Sequence, residues 1–280
     1  MIRCAIDVAP LGELADPGAI VRLAVAAEAA GWDGFSTWDV LGTSMGTSAP
    51  DPFVALAAVA SATSRLRLIA SVVALPRRRP QLVAQSAATL DRWSRGRLVL
   101  GVGAGGDPGD FEAFGEPFDA PRRIARFDES LGLVDAFLRG ETVEHDGPEF
   151  QVRGVAVGPR PIQEPRPPIW LGGMRPGALR RAARWDGWIA LAVSDDGSSM
   201  VLSPEGLGGM VGRLRGELAA AGRADAPFEV AVFGFCERST GAGLVSAYAE
   251  AGATWWLESL SPMRGSMADL LARVEAGPPR

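Results

Sequence analysis

Lysine is absent: all 28 basic residues of the 280-residue chain are arginine. Schiff-base catalysis and the lysine of a phosphate-binding P-loop are therefore excluded. There is one histidine, His145. A histidine-rich metal site cannot be built, and a Ser-His-Asp triad would have to use that one residue. His145 adjoins Asp146-Gly147 and reads as an exposed turn residue. The two cysteines, Cys4 and Cys236, lie in apolar strand-like runs. A bridge between them stays open, but two buried free thiols in a reducing compartment is the plainer reading. No apolar run approaches the ~18 residues of a membrane span. Met1 to Asp7 carries neither the apolar region nor the cleavage site of a signal peptide, so a cytoplasmic protein is expected. An excess of positive charge is also missing. The net charge of −5 argues against nucleic acid as the main partner, which needs a basic face.

What is present is ordinary for one globular α/β unit: 47% hydrophobic and 22% charged residues. Strand-like runs at Ile2–Val8, Gly34–Trp38, Arg67–Val73 and Arg97–Val102 alternate with helical patterns. Asp16-Pro17 and Asp51-Pro52 each supply an N-cap followed by proline at N1. The alternation breaks after Val102 for a long helix over Pro121–Arg139 and a hairpin pairing Glu141–His145 with Glu149–Arg153 around Asp146-Gly147. It resumes with strands at Ile169–Leu171, Gly187–Ala192, Glu229–Phe235 and Thr254–Leu257, and a last helix starts at Met267. Eight strands, each followed by a helix or an insertion, predict a (β/α)8 TIM barrel, for which ~250 residues is typical. The expected organisation is one domain over residues 1–280 with an insertion at about 104–167. One segment recurs: Glu28 to Phe35 resembles Arg181 to Trp188, and Glu250 to Trp256 is a weaker copy. Each copy joins a helix end to a strand start, as a ring of similar joints requires.

The active site of such a barrel lies at the C-terminal strand ends. These are mostly apolar or glycine, with few carboxylates and no metal-binding cluster. They suit a flat apolar ligand that brings its own chemistry to a small-molecule substrate. Gly172-Gly173-Met174-Arg175-Pro176-Gly177 runs from strand to helix and reads as a phosphate cradle or a plain turn, and the apolar mouth favours the former. Gly101 and Gly103 formally begin a G-x-G-x-x-G pattern, but Asp107-Pro108-Gly109 follows and the next element is distant. Backbone clearance beside a ring is the better reading. Arg77, Arg78 and Arg79 follow the third strand, either as a solvated charge run or as a rim for an anionic tail. Trp38 sits at the catalytic end and is placed to contact a ring or to pack the rim.

Ala29-Ala30-Gly31-Trp32-Asp33-Gly34, Thr89-Leu90-Asp91-Arg92-Trp93-Ser94-Arg95-Gly96-Arg97 and Pro165 to Gly173 together resemble the bacterial luciferase-like superfamily of flavin- and deazaflavin-dependent oxidoreductases. The middle segment is similar to the family's specific A-x-TLD-x-x-S-x-GR signature, and the likeness spans nearly the whole chain. The resemblance implies FMN or the deazaflavin coenzyme F(420) at the mouth, with the phosphate near Gly172 and Gly173. It also implies a bulge with a non-proline cis peptide under the ring, at Ser71-Val72 or one residue on toward Val73. Many relatives carry an acidic residue and then histidine after the second strand. Here Asp39 is followed by Val40, and Ala104 stands where the sugar-phosphate dehydrogenases carry glutamate. Trp38 and Asp39 are the catalytic candidates, with no residue assigned as acid or base.

The first functional expectation is hydride transfer from reduced F(420) to a small organic substrate. The compact chain and the anionic tail of that coenzyme favour it. The second is an FMN-dependent monooxygenase fed by a separate flavin reductase. The third is a flavin-binding protein without turnover. A homodimer is expected through the Ala-rich helices Asp16–Ala30 and Pro52–Thr63.

Overall fold

The computed structural model describes residues 2–42, 46, 48–191, 201–237 and 240–280. In chain order the elements are β1 (Arg3–Val8), α1 (Pro17–Ala29), β2 (Gly34–Thr37), α2 (Pro52–Ala62), β3 (Arg67–Ala74), α3 (Pro80–Trp93) and β4 (Leu98–Gly103). Then come α4 (Gly109–Glu112), α5 (Ala120–Leu138) and the hairpin β5 (Val143–Asp146) and β6 (Gln151–Val155). The chain continues with β7 (Ile169–Gly172), α6 (Pro176–Ala182), β8 (Gly187–Ala190), α7 (Pro204–Ala220), β9 (Glu229–Gly234), α8 (Gly241–Glu250), β10 (Trp255–Leu260) and α9 (Met267–Glu275). Strands β1, β10, β9, β8, β7, β4, β3 and β2 close in that order into a barrel. Its neighbours are parallel throughout. This is the expected (β/α)8 architecture.

Local chemistry explains where the helices start. Asp16 accepts from Gly18 N, and Asp51 from Phe53 and Val54 N, with Pro17 and Pro52 each at the first helical position. Each cap satisfies amides that the helix cannot. Side chains alternating across the barrel strands then form two buried layers. Ala5, Ile69, Val99, Trp170, Ile189, Ala231, Phe233, Trp255 and Leu257 fill the interior. Gly34 is the contribution of β2, where a Cβ would stand 3.1 Å from Ala5 Cβ and 3.2 Å from the Trp255 ring. The opposite face of the strands packs on the helices through residues such as Ile6, Leu68, Leu100 and Val232.

The recurring segment is a structural joint. Asp33 takes the amide of Cys4 on its carboxylate at 2.7 Å and gives its own amide to Cys4 O at 2.8 Å. Asp186 does the same to Ile169, at 2.8 and 3.1 Å. In the third copy Thr254 repeats the pattern on Val230, its hydroxyl accepting at 2.9 Å and its amide donating at 2.8 Å. The weakest copy in sequence thus makes the same joint with a threonine.

Several expectations need correction. A one-turn helix, Gly109–Glu112, follows Pro108 closely, so the element after the glycines of β4 is not distant. The hairpin pairs Val143 with Val155 and His145 with Val152, and the register slips between them. Both cysteines are free and buried, which bears out the plainer reading of them. His145 is half-buried and contacts Glu129 Oε1 at 2.8 Å through Nε2, so it is not a loose turn residue. Ala192 and Val193, expected at the end of β8, lie outside the described residues.

Candidate functional site

The mouth of the barrel is shaped by an irregularity in β3. Its register against β4 runs Ala70 to Leu100 and resumes at Val73 to Val102, so the strand bulges at Ser71-Val72. The Ser71-Val72 peptide is cis, at the position the resemblance implied. Val72 is half-buried and packs on the interior cluster. A Cβ at Gly103 would stand 3.0 Å from Val72 Cγ2, and one at Gly172 the same distance from Val72 Cγ1. The two glycines therefore seat the valine, whose exposed side faces the mouth. Gly101 lies deeper, where a Cβ would meet Ala70 O at 2.4 Å and Ile189 Cδ1 at 2.9 Å. It permits the close approach of β3 to β4, and its clearance is filled by protein. Val73 is fully buried on the helix-facing side. The Ser71 hydroxyl is buried and has no hydrogen-bond partner among the described residues.

The glycine turn after β7 is open. Gly173 holds a φ of +131°, and its carbonyl accepts the Trp188 indole at 2.7 Å. Nothing lies within 4 Å of a Cβ placed on Gly177. Helix α6 starts at Arg175 with no side-chain cap, unlike α1, α2 and α5, which use aspartates. Pro176 has no N–H and the Ala178 and Leu179 amides both donate to Arg175 O, so among the described residues only the Gly177 amide of the first turn is left to another acceptor. Arg175 and Gly177 are exposed, and Met174 is half-buried. An uncapped helix start, a glycine pair and an unpartnered Ser71 hydroxyl fit a flat ligand with a terminal phosphate.

The expected arginine rim is a closed ion-pair network. Arg77 reaches Asp110 at 2.9 Å and Asp39 at 3.1 Å, with 8% of its side chain exposed. Arg78 reaches Asp39 at 2.8 Å and Asp51 at 2.9 Å. Asp39 also accepts from Ala74 N at 3.0 Å. The carboxylate expected as a catalytic candidate thus fixes the turn after β3. Arg79 is exposed and precedes α3.

Reading the strand ends alone missed Asp7. It lies on β1 two residues beyond Ala5, on the same interior face, and is completely buried. Its carboxylate accepts from Ser36 Oγ and from Trp38 Nε1, both at 2.7 Å. Burial pushes the Asp7 carboxyl up to about 7, and the two hydrogen bonds offset only part of that rise. Trp38, half-buried at the end of β2, is the member of the trio that reaches the mouth. One signal was available. An aspartate between Ile6 and Val8, in phase with Ala5, must face the barrel interior.

The A-x-TLD-x-x-S-x-GR segment lies at the other end of the barrel. Asp91 accepts from the Ile162 and Gln163 amides at 2.8 and 3.0 Å. Arg97 donates to the carbonyls of Ala60, Thr63 and Leu66 at 2.9, 2.9 and 3.1 Å. Arg95 and Gly96 turn between them with φ of 58° and 79°.

Among known proteins, the profile of the luciferase-like monooxygenase family matches residues 2–240. Uncharacterized proteins of Mycobacterium tuberculosis and Mycobacterium bovis are 35% identical over 182 residues, 65% of this chain. The match spans 58% of those relatives' length. The F(420)-dependent tetrahydromethanopterin reductase of Methanopyrus kandleri superposes with a TM-score of 0.79 at 19% identity, covering 99% of this chain and 98% of that one. Monooxygenase RslO1 of Streptomyces bottropensis gives 0.73 at 26% identity, covering 89% of this chain and 78% of that one.

Proposed function

The chain belongs to the luciferase-like monooxygenase family, and from that premise we propose that it is an oxidoreductase transferring hydride from reduced F(420) to a small organic substrate. The family and fold support a catalytic role and a flavin-type cofactor in general. The observation that carries the finer reading is Asp7. A carboxyl that titrates near 7 is protonated in about half of the molecules at neutral pH, where an ordinary aspartate is almost wholly ionised. Saturating an activated double bond needs a proton as well as a hydride, and in this reading the buried Asp7 is the store of that proton beneath the mouth. When bound, the coenzyme would supply the hydride. Val72 would support the ring, the Ser71 hydroxyl would find an acceptor on it, and Gly172 to Gly177 with Arg175 would hold the phosphate.

Two features bear on the choice of cofactor. The likeness to the F(420)-dependent reductase runs the whole length of both chains, which supports F(420). The paired state of Arg77 and Arg78 removes them as free partners for its tail. The second reading, an FMN-dependent monooxygenase fed by a reductase, is favoured by the 26% identity to RslO1. We also read the chain as one domain with the excursion at 104–167 as its insertion. A homodimer through α1 and α2 fits their outward apolar residues, Val25 and Val54, which are exposed.

Titration of the purified protein with reduced F(420) and with reduced FMN, followed by turnover with an enone under anaerobic conditions, tests the proposal. Tight F(420) binding with enone reduction is expected. Binding of FMN alone, with oxygen-dependent turnover, would move the assignment to the monooxygenase.

A further inference from the structure

Strand β4 points its C-terminal end at the mouth, so the segment that joins it to α5 stands at the rim with the first turn of that helix. We propose that Arg123, in that first turn, binds a single carboxylate on the organic substrate, which is therefore a monoanion with an apolar body. The proposal rests on the reading of the mouth as a reductase site and names the class of its substrate.

Arg123 is held by rings instead of acceptors. Its guanidinium carbon lies 3.7 Å from the centre of the Phe118 ring and 5.8 Å from that of Phe111, and the two rings meet at 5.5 Å. Phe111 is anchored at the mouth. A Cβ on Gly105 would stand 2.8 Å from Phe111 Cζ and 3.4 Å from Ala74 Cβ, at the end of β3. The Nε and Nη1 atoms of Arg123 are buried and have no acceptor among the described residues. Nη2 is not enclosed with them and, among the described residues, joins no hydrogen bond or ion pair. It is the nitrogen that a ligand can reach, since the side chain is only half-buried. Burial lowers the pKa of Arg123, and Asp119 offsets only part of that drop. Its neighbours are not in this state: Arg122 reaches Glu149 at 3.1 Å and Arg126 reaches it at 3.7 Å. A cation kept without an acceptor is completed by an incoming oxygen anion.

The surrounding loop sets the charge and the body of the ligand. Residues 104–121 hold five carboxylates, Asp107, Asp110, Glu112, Glu116 and Asp119, and no basic residue. Asp110 is engaged by Arg77 at 2.9 Å and by the Leu41 amide at 3.1 Å. Asp107 accepts from Gly109 N at 2.9 Å, and Asp119 from Arg122 N at 2.8 Å. Their field tolerates one negative charge placed on Arg123 and opposes a second. Free phosphate and the polyanionic tail of a coenzyme are therefore disfavoured as occupants. Phe114, 61% exposed, and the half-buried Phe118 offer apolar surface for a ring on the same loop.

The test uses the full-length protein with benzalacetone carrying either a para-carboxylate or a para-carboxamide, two enones of matched shape. Binding is measured by calorimetry in the presence of oxidised F(420), which has no hydride to give. The carboxylate is expected to bind at least about fivefold more tightly than the carboxamide. Arg123→Gln should bring that ratio to about one while the carboxamide binds as before, and Arg123→Lys should restore part of it. Arg122→Gln, at the neighbouring paired arginine, should leave the ratio intact. If Arg123→Gln does not fold, Phe118→Leu, which removes the ring beside the guanidinium, should lower the ratio at least about twofold. No saturation by about 20 mM carboxylate, equal affinity for both probes, a preference that survives in the folded variant, or a loss of F(420) affinity there with the preference intact would each overturn the proposal. Turnover with reduced F(420) separates the site from the reductase reading. Reduction of both probes without a preference removes the Arg123 site alone, and a preference in binding without reduction removes the reductase reading and leaves Arg123 as a carboxylate site.

Discussion

The two ends of the barrel are built on opposite principles. At the N-terminal end the polar side chains of the strand joints and the signature segment are tied to backbone. Glu28 alone takes the amides of Ser64, Arg65 and Leu66. Those hydrogen bonds overcome the upward push of burial and hold its carboxyl at about 2. At the mouth the Ser71 hydroxyl has no partner among the described residues, helix α6 has no side-chain cap, and the Asp7 carboxyl sits near neutrality. The joint and signature residues at the N-terminal end are satisfied within the chain, although the Trp170 and Trp255 indole N–H groups there find no acceptor among the described residues. Those at the mouth keep unmet hydrogen-bonding capacity or an adjustable charge, which is what a ligand or a proton transfer can use.

Asp7→Asn should break this contrast most severely. It keeps one acceptor oxygen for the Trp38 indole, and the Ser36 hydroxyl can turn to accept from the new amide, but it removes the proton donor, so enone turnover should fall ~10²–10⁴-fold while cofactor affinity stays within a factor of about two. Its stability should change in the other direction. A carboxyl raised from 3.8 to about 7 in the folded state binds more protons folded than unfolded, so stability falls as pH climbs through that window. The ionised form at pH 8 carries a penalty of about 4 kcal/mol. Urea unfolding should therefore find Asp7→Asn more stable than the native chain at pH 8, with no such gain at pH 4.

Arg97→Ala attacks the other end. It strips hydrogen bonds from the Ala60, Thr63 and Leu66 carbonyls, and leaving such groups unmet costs about 3 kcal/mol or more. A lowered urea midpoint, with cofactor affinity per folded molecule unchanged, is the expected result.

Gly173→Val is smaller in effect and returns to the mouth. The positive φ and the approach of a Cβ to within 2.9 Å of Ala178 Cβ make the side chain unwelcome. Cofactor affinity should fall at least about tenfold, or about 1.4 kcal/mol. The smallest effect is expected of Arg79→Gln. With Arg77 and Arg78 paired internally, Arg79 is the exposed remainder of the run, and its loss should alter F(420) affinity less than about threefold. Titrations at two salt concentrations check both variants.

Much of the N-terminal end was legible in the sequence because its signals are local. Asp-Pro pairs mark helix starts, and the Asp33 and Asp186 joints stand in near-identical segments. The mouth was legible in outline, through the glycines at 103, 172 and 173 and the break at Ser71-Val72. Its charges were not. Arg77 and Arg78 read as a free basic run because their partners Asp39, Asp51 and Asp110 come from other loops. Asp7 was passed over because attention to the last residues of each strand skips one that faces inward a position earlier. The segment that best marks the family, Thr89 to Arg97, proves to anchor the fold and touches no part of the mouth.

The central claim is that the Asp7 carboxyl titrates near neutrality beneath the mouth. It is tested most directly by ¹³C NMR titration of the aspartate carboxyls in the native chain and in Asp7→Asn. One carboxyl signal absent from the variant should titrate with a pKa about 7. A value about 4, that of an ordinary aspartate, would leave Asp7 ionised at neutrality and contradict the claim.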